Sequence, residues 1–278
     1  MNKRNALTLV EVLLIIGILV FLIVIMIPAL DRHPGPHRTI VCLHNLKNLH
    51  LAWLIYGDDN DGKIVNGMAG VDRKKGNAVI EKAWIGKDWS DDYRQGETLT
   101  TNEQIEAIKS GALWPYIKSV KSYRCPTSIP EKMRTYSIVD SLNGVPQPGD
   151  PKGRGPAEAI DKLTVKDLRQ IRDPNMKAAF ICVGWAAPGS YGVYYDKEKW
   201  WDLPSVRHDN NRTTVCFADG HAQFWKWKSK ETIELLKSAG PTLPRQHDEP
   251  KTVEGKEDLQ KVQKAVWGKL GYNPSKND

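Results

Sequence analysis

The chain has 278 residues, with 40 Lys and Arg against 33 Asp and Glu, a formal net charge of +7, and four cysteines beside ten tryptophans. That length suffices for one globular domain, or one domain with embellishments. The positive charge is spread rather than gathered into a stripe and no nucleic-acid module is legible, so the expectation is no nucleic-acid partner.

Residues 1–30 begin with a basic leader, Lys3 and Arg4, and run into an apolar stretch from Val12 to Ala29 with one carboxylate, Glu11, at its mouth. At helical rise the stretch is about 27 Å long, close to the roughly 30 Å of a hydrocarbon core, and it predicts a transmembrane helix. The basic residues before it orient the N-terminus to the cytoplasm. The rest of the chain then lies beyond the inner membrane, periplasmic or extracellular. A carboxylate at the edge of such a helix is costly in lipid and marks a function. An uncleaved signal anchor would share the basic flank and apolar core. A secretory signal peptide fits less well, because the run is long and Ile27-Pro28-Ala29 is a poor small-x-small exit. Pro28 and the Pro34-Gly35-Pro36 interruption predict a helix kinked or broken near residues 28–36.

Helical periodicity resumes with Leu43, Leu46, Leu49 or His50, Trp53 and Leu54, predicting an amphipathic helix from about Thr39 to Tyr56. The acidic Gly57–Lys63 segment lacks the first-position acid and twelfth-position Glu of an EF-hand loop, and reads as the turn that ends this helix. Lys82 to Trp89 looks strand-like. Residues 101–110 predict a short helix capped by Thr101 or Asn102. The Pro/Gly-rich 144–155 segment predicts a loop. Residues 162–171 suggest another short helix and Ala178 to Trp185 a buried strand. Thr213 to Trp225 reads as a β-hairpin in which Asp219-Gly220 supplies a two-residue turn. Beyond residue 243 the chain becomes polar, and Leu259, Val262, Val266 and Leu270 mark an amphipathic helix with a sparse apolar face, suited to surface or partner docking.

The chemistry-bearing residues are few. With the domain assigned to an oxidising compartment, disulfides are allowed. No CxxC pair or zinc-ligand spacing is present. Cys182 and Cys216 lie in apolar strand-like runs and read as buried free thiols; Cys42 and Cys125, beside polar residues, are the better disulfide candidates. His208, Asp219 and His221 could be imagined as metal ligands. Turn, strand and loop packing explain them as well, so no metal is assigned. No nucleophile elbow and no isolated carboxylate pair is found, so no catalytic residues and no cofactor are expected. Most tryptophans suit core packing. Trp200 and Trp201 are adjacent and cannot both point inward from a strand, which makes them the candidate surface for a glycan or partner.

Four patches in order resemble one known group. Thr8-Leu9-Val10-Glu11 after the basic leader is similar to the N-terminus of type IV pilins and type II secretion pseudopilins. Three further patches are Cys42-Leu-His-Asn45-Leu46-Lys47, Leu113-Trp-Pro-Tyr-Ile with Arg124-Cys125-Pro126, and Arg207-His208 leading to Phe217-Ala-Asp219-Gly220-His221. These resemble the prepilin-type proteins that carry a C-terminal His-x9-Asp-Gly motif. Here Ala6 and Leu7 stand where that family usually has Gly and Phe, and ten residues rather than nine separate His208 from Asp219. The resemblance implies cleavage between Ala6 and Leu7 by prepilin peptidase, methylation of Leu7, and a subunit-docking role for Glu11. It also implies a Cys42–Cys125 bridge, and as partners the peptidase, other pilin-like subunits and the inner membrane. The expected fold is α+β: a long N-terminal transmembrane spine helix followed by a globular domain with an antiparallel sheet. The segments are a leader (1–6), a transmembrane or filament-core helix (7–30), its amphipathic continuation (31–56), an α+β domain (57–243) and a polar tail (244–278). The implied function is a structural subunit, minor in abundance, of a secretion pseudopilus or type IV-like filament, with no enzymatic activity. The alternative is a membrane-anchored binding module that holds glycans on its Trp-rich surface.

Overall fold

The computed structural model describes residues 9–30, 34–144, 154–186, 188–240 and 248–274. The chain divides into two compact units, Met1–Ile40 and Val41–Asp278. Its helices are α1 (Leu9–Leu30), α2 (Pro34–Asp59), α3 (Thr101–Lys109), α4 (Trp114–Ile117), α5 (Ala157–Leu163), α6 (Lys230–Lys237) and α7 (Val253–Trp267). Its strands are β1 (Arg73–Lys75), β2 (Ala78–Glu81), β3 (Tyr136–Ile138), β4 (Ala178–Cys182), β5 (Arg212–Phe217) and β6 (Ala222–Lys226).

The first unit contains α1, whose described side chains run from Leu9 to Leu22. Apart from Glu11 and Gly17 these are large and apolar, and all are exposed. One expectation is corrected here. Among the described residues no helix is long and apolar enough to cross a membrane. The transmembrane reading of residues 7–30, and the single-pass inner-membrane location built on it, are therefore not supported. The α+β class with antiparallel sheets is what the chain forms. Helix α1 ends at Leu30 and α2 begins at Pro34; residues 31–33, where the kink or break is expected, lie outside the described residues. The leader, with Ala6 and Leu7, is likewise outside them.

The second unit is built on a sheet of order β3-β4-β5-β6, antiparallel throughout. Both β4 and β5 are buried nearly along their whole length, as their Ala, Phe, Ile, Val and Thr content favours. Helix α2 contributes Cys42, Leu46, Leu49 and Trp53, all fully buried and spaced at four, three and four, so one stripe of the helix faces the core. At the far end His50 Nε2 lies 3.0 Å from the carbonyl of Ala218, tying α2 to the β5–β6 connection. That connection differs from the expected turn. The Gly220 amide donates to Phe217 and the Phe217 amide to His221, so the loop has three residues, Ala218 to Gly220. In this turn Gly220 alone takes a positive φ, +90°, the pattern of a type I turn closed by a bulge.

Three local readings change. The strand-like 82–89 segment is irregular, whereas β1 and β2 form a small hairpin that the sequence reading did not mark. The cap of α3 is Thr100, which forms a reciprocal capping box with Glu103. Helix α5 lies earlier than the 162–171 segment, and of that segment only a 3-10 turn at Leu168–Gln170 and the end of α5 are helical. The polar tail also differs from expectation: α7 belongs to the core of the second unit, with Leu259, Val262, Val266 and Trp267 buried. Its polar neighbours are accommodated too. The Asp258 carboxylate accepts the amides of Lys228 and Ser229 at the start of α6, and Gln263 donates to the carbonyls of Tyr194 and Lys197.

Candidate functional site: a buried thiol and imidazole cluster

Sheet register assembles one wall of the site. Tyr136 pairs with Cys182, and the pairs Phe180–Cys216 and Ile181–Val215 carried one residue further bring Thr214 opposite Cys182. Thr214 in turn pairs with Phe224 on β6. Tyr136, Cys182, Thr214 and Phe224 therefore form a row across the sheet, with side chains on one face. Helix α2 lies over this row: the Cys42 sulfur is 3.1 Å from both the Tyr136 and the Thr214 hydroxyls.

The remaining members come from loops. Asn45, one residue short of a helical turn beyond Cys42, donates to the carbonyls of Lys121 and Arg124 at 3.1 and 3.0 Å and so holds the loop that carries Cys125. The Cys125 amide donates to Thr135 Oγ1, and its sulfur sits 3.0 Å from Thr127 Oγ1 and 3.4 Å from His208 Nε2. His208 precedes β5 in a tight loop closed by its exchange of backbone hydrogen bonds with Arg212, and its ring meets Phe224 edge-on at 5.5 Å. The sulfurs of Cys42 and Cys125 and one ring nitrogen of His208 lie within 4.8 Å of one another. Cys182 stands between Tyr136 and Thr214 in the sheet row whose hydroxyls meet the Cys42 sulfur. All four residues are buried.

The electrostatics of the cluster are uneven. Burial pushes the Cys42 thiol well above its ordinary value, and the neighbouring thiols push the same way. Burial would also raise Cys182. Hydrogen bonds from Cys125, Cys42 and Ser205 and the charge of Arg207 outweigh it and hold this thiol well below its ordinary value. The Arg207 guanidinium lies 3.6 Å from the Cys182 sulfur and is fixed there by the carbonyls of Val183 and Gly184. Desolvation lowers the His208 imidazole, which favours its neutral, ligating form. Sulfur and neutral imidazole nitrogen are donors that suit a borderline-soft cation such as zinc.

The residues singled out from the sequence are distributed as follows. Cys42 and Cys125, expected to bridge, do share this cluster, as unlinked thiols. The compartment argument that favoured a disulfide rested on the membrane-spanning reading and goes with it. The His208, Asp219 and His221 motif divides: His208 joins the thiols, whereas Asp219 and His221 pair with each other at 2.6 Å on the hairpin tip, with the His221 ring stacked on Phe217. Gly220 serves the turn. Glu11 lies in the exposed first turn of α1. Trp200 is 1% exposed and packs edge-on against Trp227, so its ring is closed to a glycan. Trp201 is half-buried between Tyr194 and the Arg154 guanidinium. Cys182 is the member that sequence reading missed. The four ligand-type residues are separated by 83, 57 and 26 positions, and only the packing of α2 and two loops on the sheet brings them together.

No protein-family model, curated protein or solved structure matches this chain.

Proposed function

We propose that this chain is a structural subunit of a type II secretion pseudopilus or a type IV-like filament, matured by prepilin peptidase at Ala6–Leu7. The observation that carries the reading is α1: twelve large apolar side chains between Leu9 and Leu22 stand exposed, with Glu11 in the first turn. An apolar helix of this kind asks for a cover, and burial is worth roughly 1.5–3 kcal/mol for each side chain fully removed from water. In a filament the cover is the same segment of neighbouring subunits. Glu11 then meets the amine that cleavage frees on an adjacent copy, so that each buried charge has an opposite partner. The motif order described above supports the same reading, and the burial of Trp200 weakens the glycan-binding alternative.

The test is intact mass of the chain after co-expression with a prepilin peptidase. The expected product has lost residues 1–6 and carries one methyl on Leu7, and Glu11→Ala reduces its incorporation into filaments. A chain that stays full-length with active peptidase present refutes the proposal.

A further inference from the structure

We infer that Cys42, Cys125, Cys182 and His208 form a structural zinc site of the Cys3His type that locks α2 and two loops onto the sheet. The inference is independent of the filament reading, since it concerns the core of the second unit alone.

Geometry is the first support. Zinc–sulfur bonds of about 2.3 Å and zinc–nitrogen bonds of about 2.0 Å in a tetrahedron set ligand-to-ligand distances of roughly 3.5–3.8 Å. The Cys125 sulfur and His208 Nε2 are 3.4 Å apart, and the three mutually close ligand atoms all fall within 4.8 Å. The fourth, Cys182, stands between Tyr136 and Thr214 in the sheet row whose hydroxyls both contact the Cys42 sulfur.

The surroundings are the second support. Each sulfur has a polar partner of its own: the Tyr136 and Thr214 hydroxyls lie against Cys42, the Thr127 hydroxyl lies against Cys125, and the Arg207 guanidinium donates to Cys182. Hydroxyl and guanidinium groups turned toward sulfur stabilise thiolates and orient them, which is the outer-shell arrangement of thiolate metal centres. Three thiolates and one Zn²⁺ leave a net charge of −1, and Arg207 sits where it balances that charge.

Ordinary core packing accounts for the cluster poorly. A single buried thiol behaves as a small apolar group. Three thiols and an imidazole from four distant segments offer one another only weak hydrogen bonds, and a central cation satisfies all four at once. With every donor saturated by protein and shielded from solvent, the site has no open position for substrate, so its role is structural rather than catalytic.

The test uses the full-length chain, purified under reducing conditions without added chelator, with metal content measured by mass spectrometry. The expected result is about one zinc per chain. A thiol-reactive mercurial should release that zinc, and cobalt exchanged for it should give thiolate-to-cobalt charge-transfer bands of tetrahedral type. Cys182→Ser and His208→Gln should lose most of the zinc, whereas Cys216→Ser, a buried thiol outside the cluster, should keep it. The wild-type measurement decides the question even if the ligand variants fail to fold. A folded chain without stoichiometric zinc overturns the inference.

Discussion

The ion pair between Asp88 and Arg134 provides a quantitative test of how the second unit is held together. Their side chains are 5% and 0% exposed, and they meet through Arg134 Nε to Asp88 Oδ2 at 2.7 Å and Nη2 to Oδ1 at 3.1 Å. The guanidinium also has a long contact, 3.4 Å, to the carbonyl of Tyr136, the residue beside the thiol cluster. Asp88→Ala leaves a buried cation without its carboxylate. Two charge-assisted hydrogen bonds at about 1.5–3 kcal/mol each, and the usual loss of about 3–5 kcal/mol when one partner of a buried pair is removed, converge on roughly 4 kcal/mol. For a domain of this size that lowers Tm by about 8–16 °C. Replacing both partners, as Asp88→Leu with Arg134→Met, removes the charge together with its counter-charge and should restore stability to within about 1–2 kcal/mol of the wild type. Urea unfolding followed by tryptophan fluorescence on the wild type, Asp88→Leu, Arg134→Met and the double variant gives the coupling energy directly. An Asp88→Ala chain within about 1 kcal/mol of the wild type would refute the claim that this pair is desolvated and strongly coupled.

Two further outcomes are expected. Lys177 is buried and donates to the carbonyl of Val266 at 2.7 Å, and desolvation lowers its pKa from 10.5 to about 8. The folded state thus releases this proton at lower pH than the unfolded state, so stability rises as pH goes from about 8 to 10.5, by about 3 kcal/mol, and Lys177→Met should abolish that rise in pH-dependent unfolding. At Gly111 an added Cβ would overlap the backbone of Trp84 and Ile85, which a side-chain shift cannot relieve. Gly111→Ala should cost at least about 2 kcal/mol in the same unfolding assay, and a neutral result would mean that the 83–85 and 111–113 segments are not packed as closely as described.

Much of the local structure was legible. The three-and-four spacing of Leu46, Leu49 and Trp53 identified the buried stripe of α2, and the apolar runs at 178–182 and 213–217 became the two central strands. Asp219-Gly220 marked the hairpin, although the loop is one residue longer than expected because only Gly220 adopts positive φ. Errors fell where a local pattern depends on distant partners. The sparse stripe of α7 looked too thin for a core helix, yet Trp267 and the hydrogen bonds of Asp258 and Gln263 make it one.

The sequence by itself determined that residues 9–22 form an apolar helix with a carboxylate in its first turn, because these are local facts of composition and period. It also made the adjacency of Trp200 and Trp201 plain, but not which of them the core would take. Only the tertiary structure decided which tryptophan is buried, and only it assembled Cys42, Cys125, Cys182 and His208. Antiparallel register aligns Tyr136, Cys182 and Thr214 across three strands, and α2 then lowers Cys42 onto that row. Contacts such as those of Cys42 with Tyr136 and Thr214, 94 and 172 positions away, leave no periodic trace in the sequence, since they depend on how elements pair rather than on what any one segment prefers.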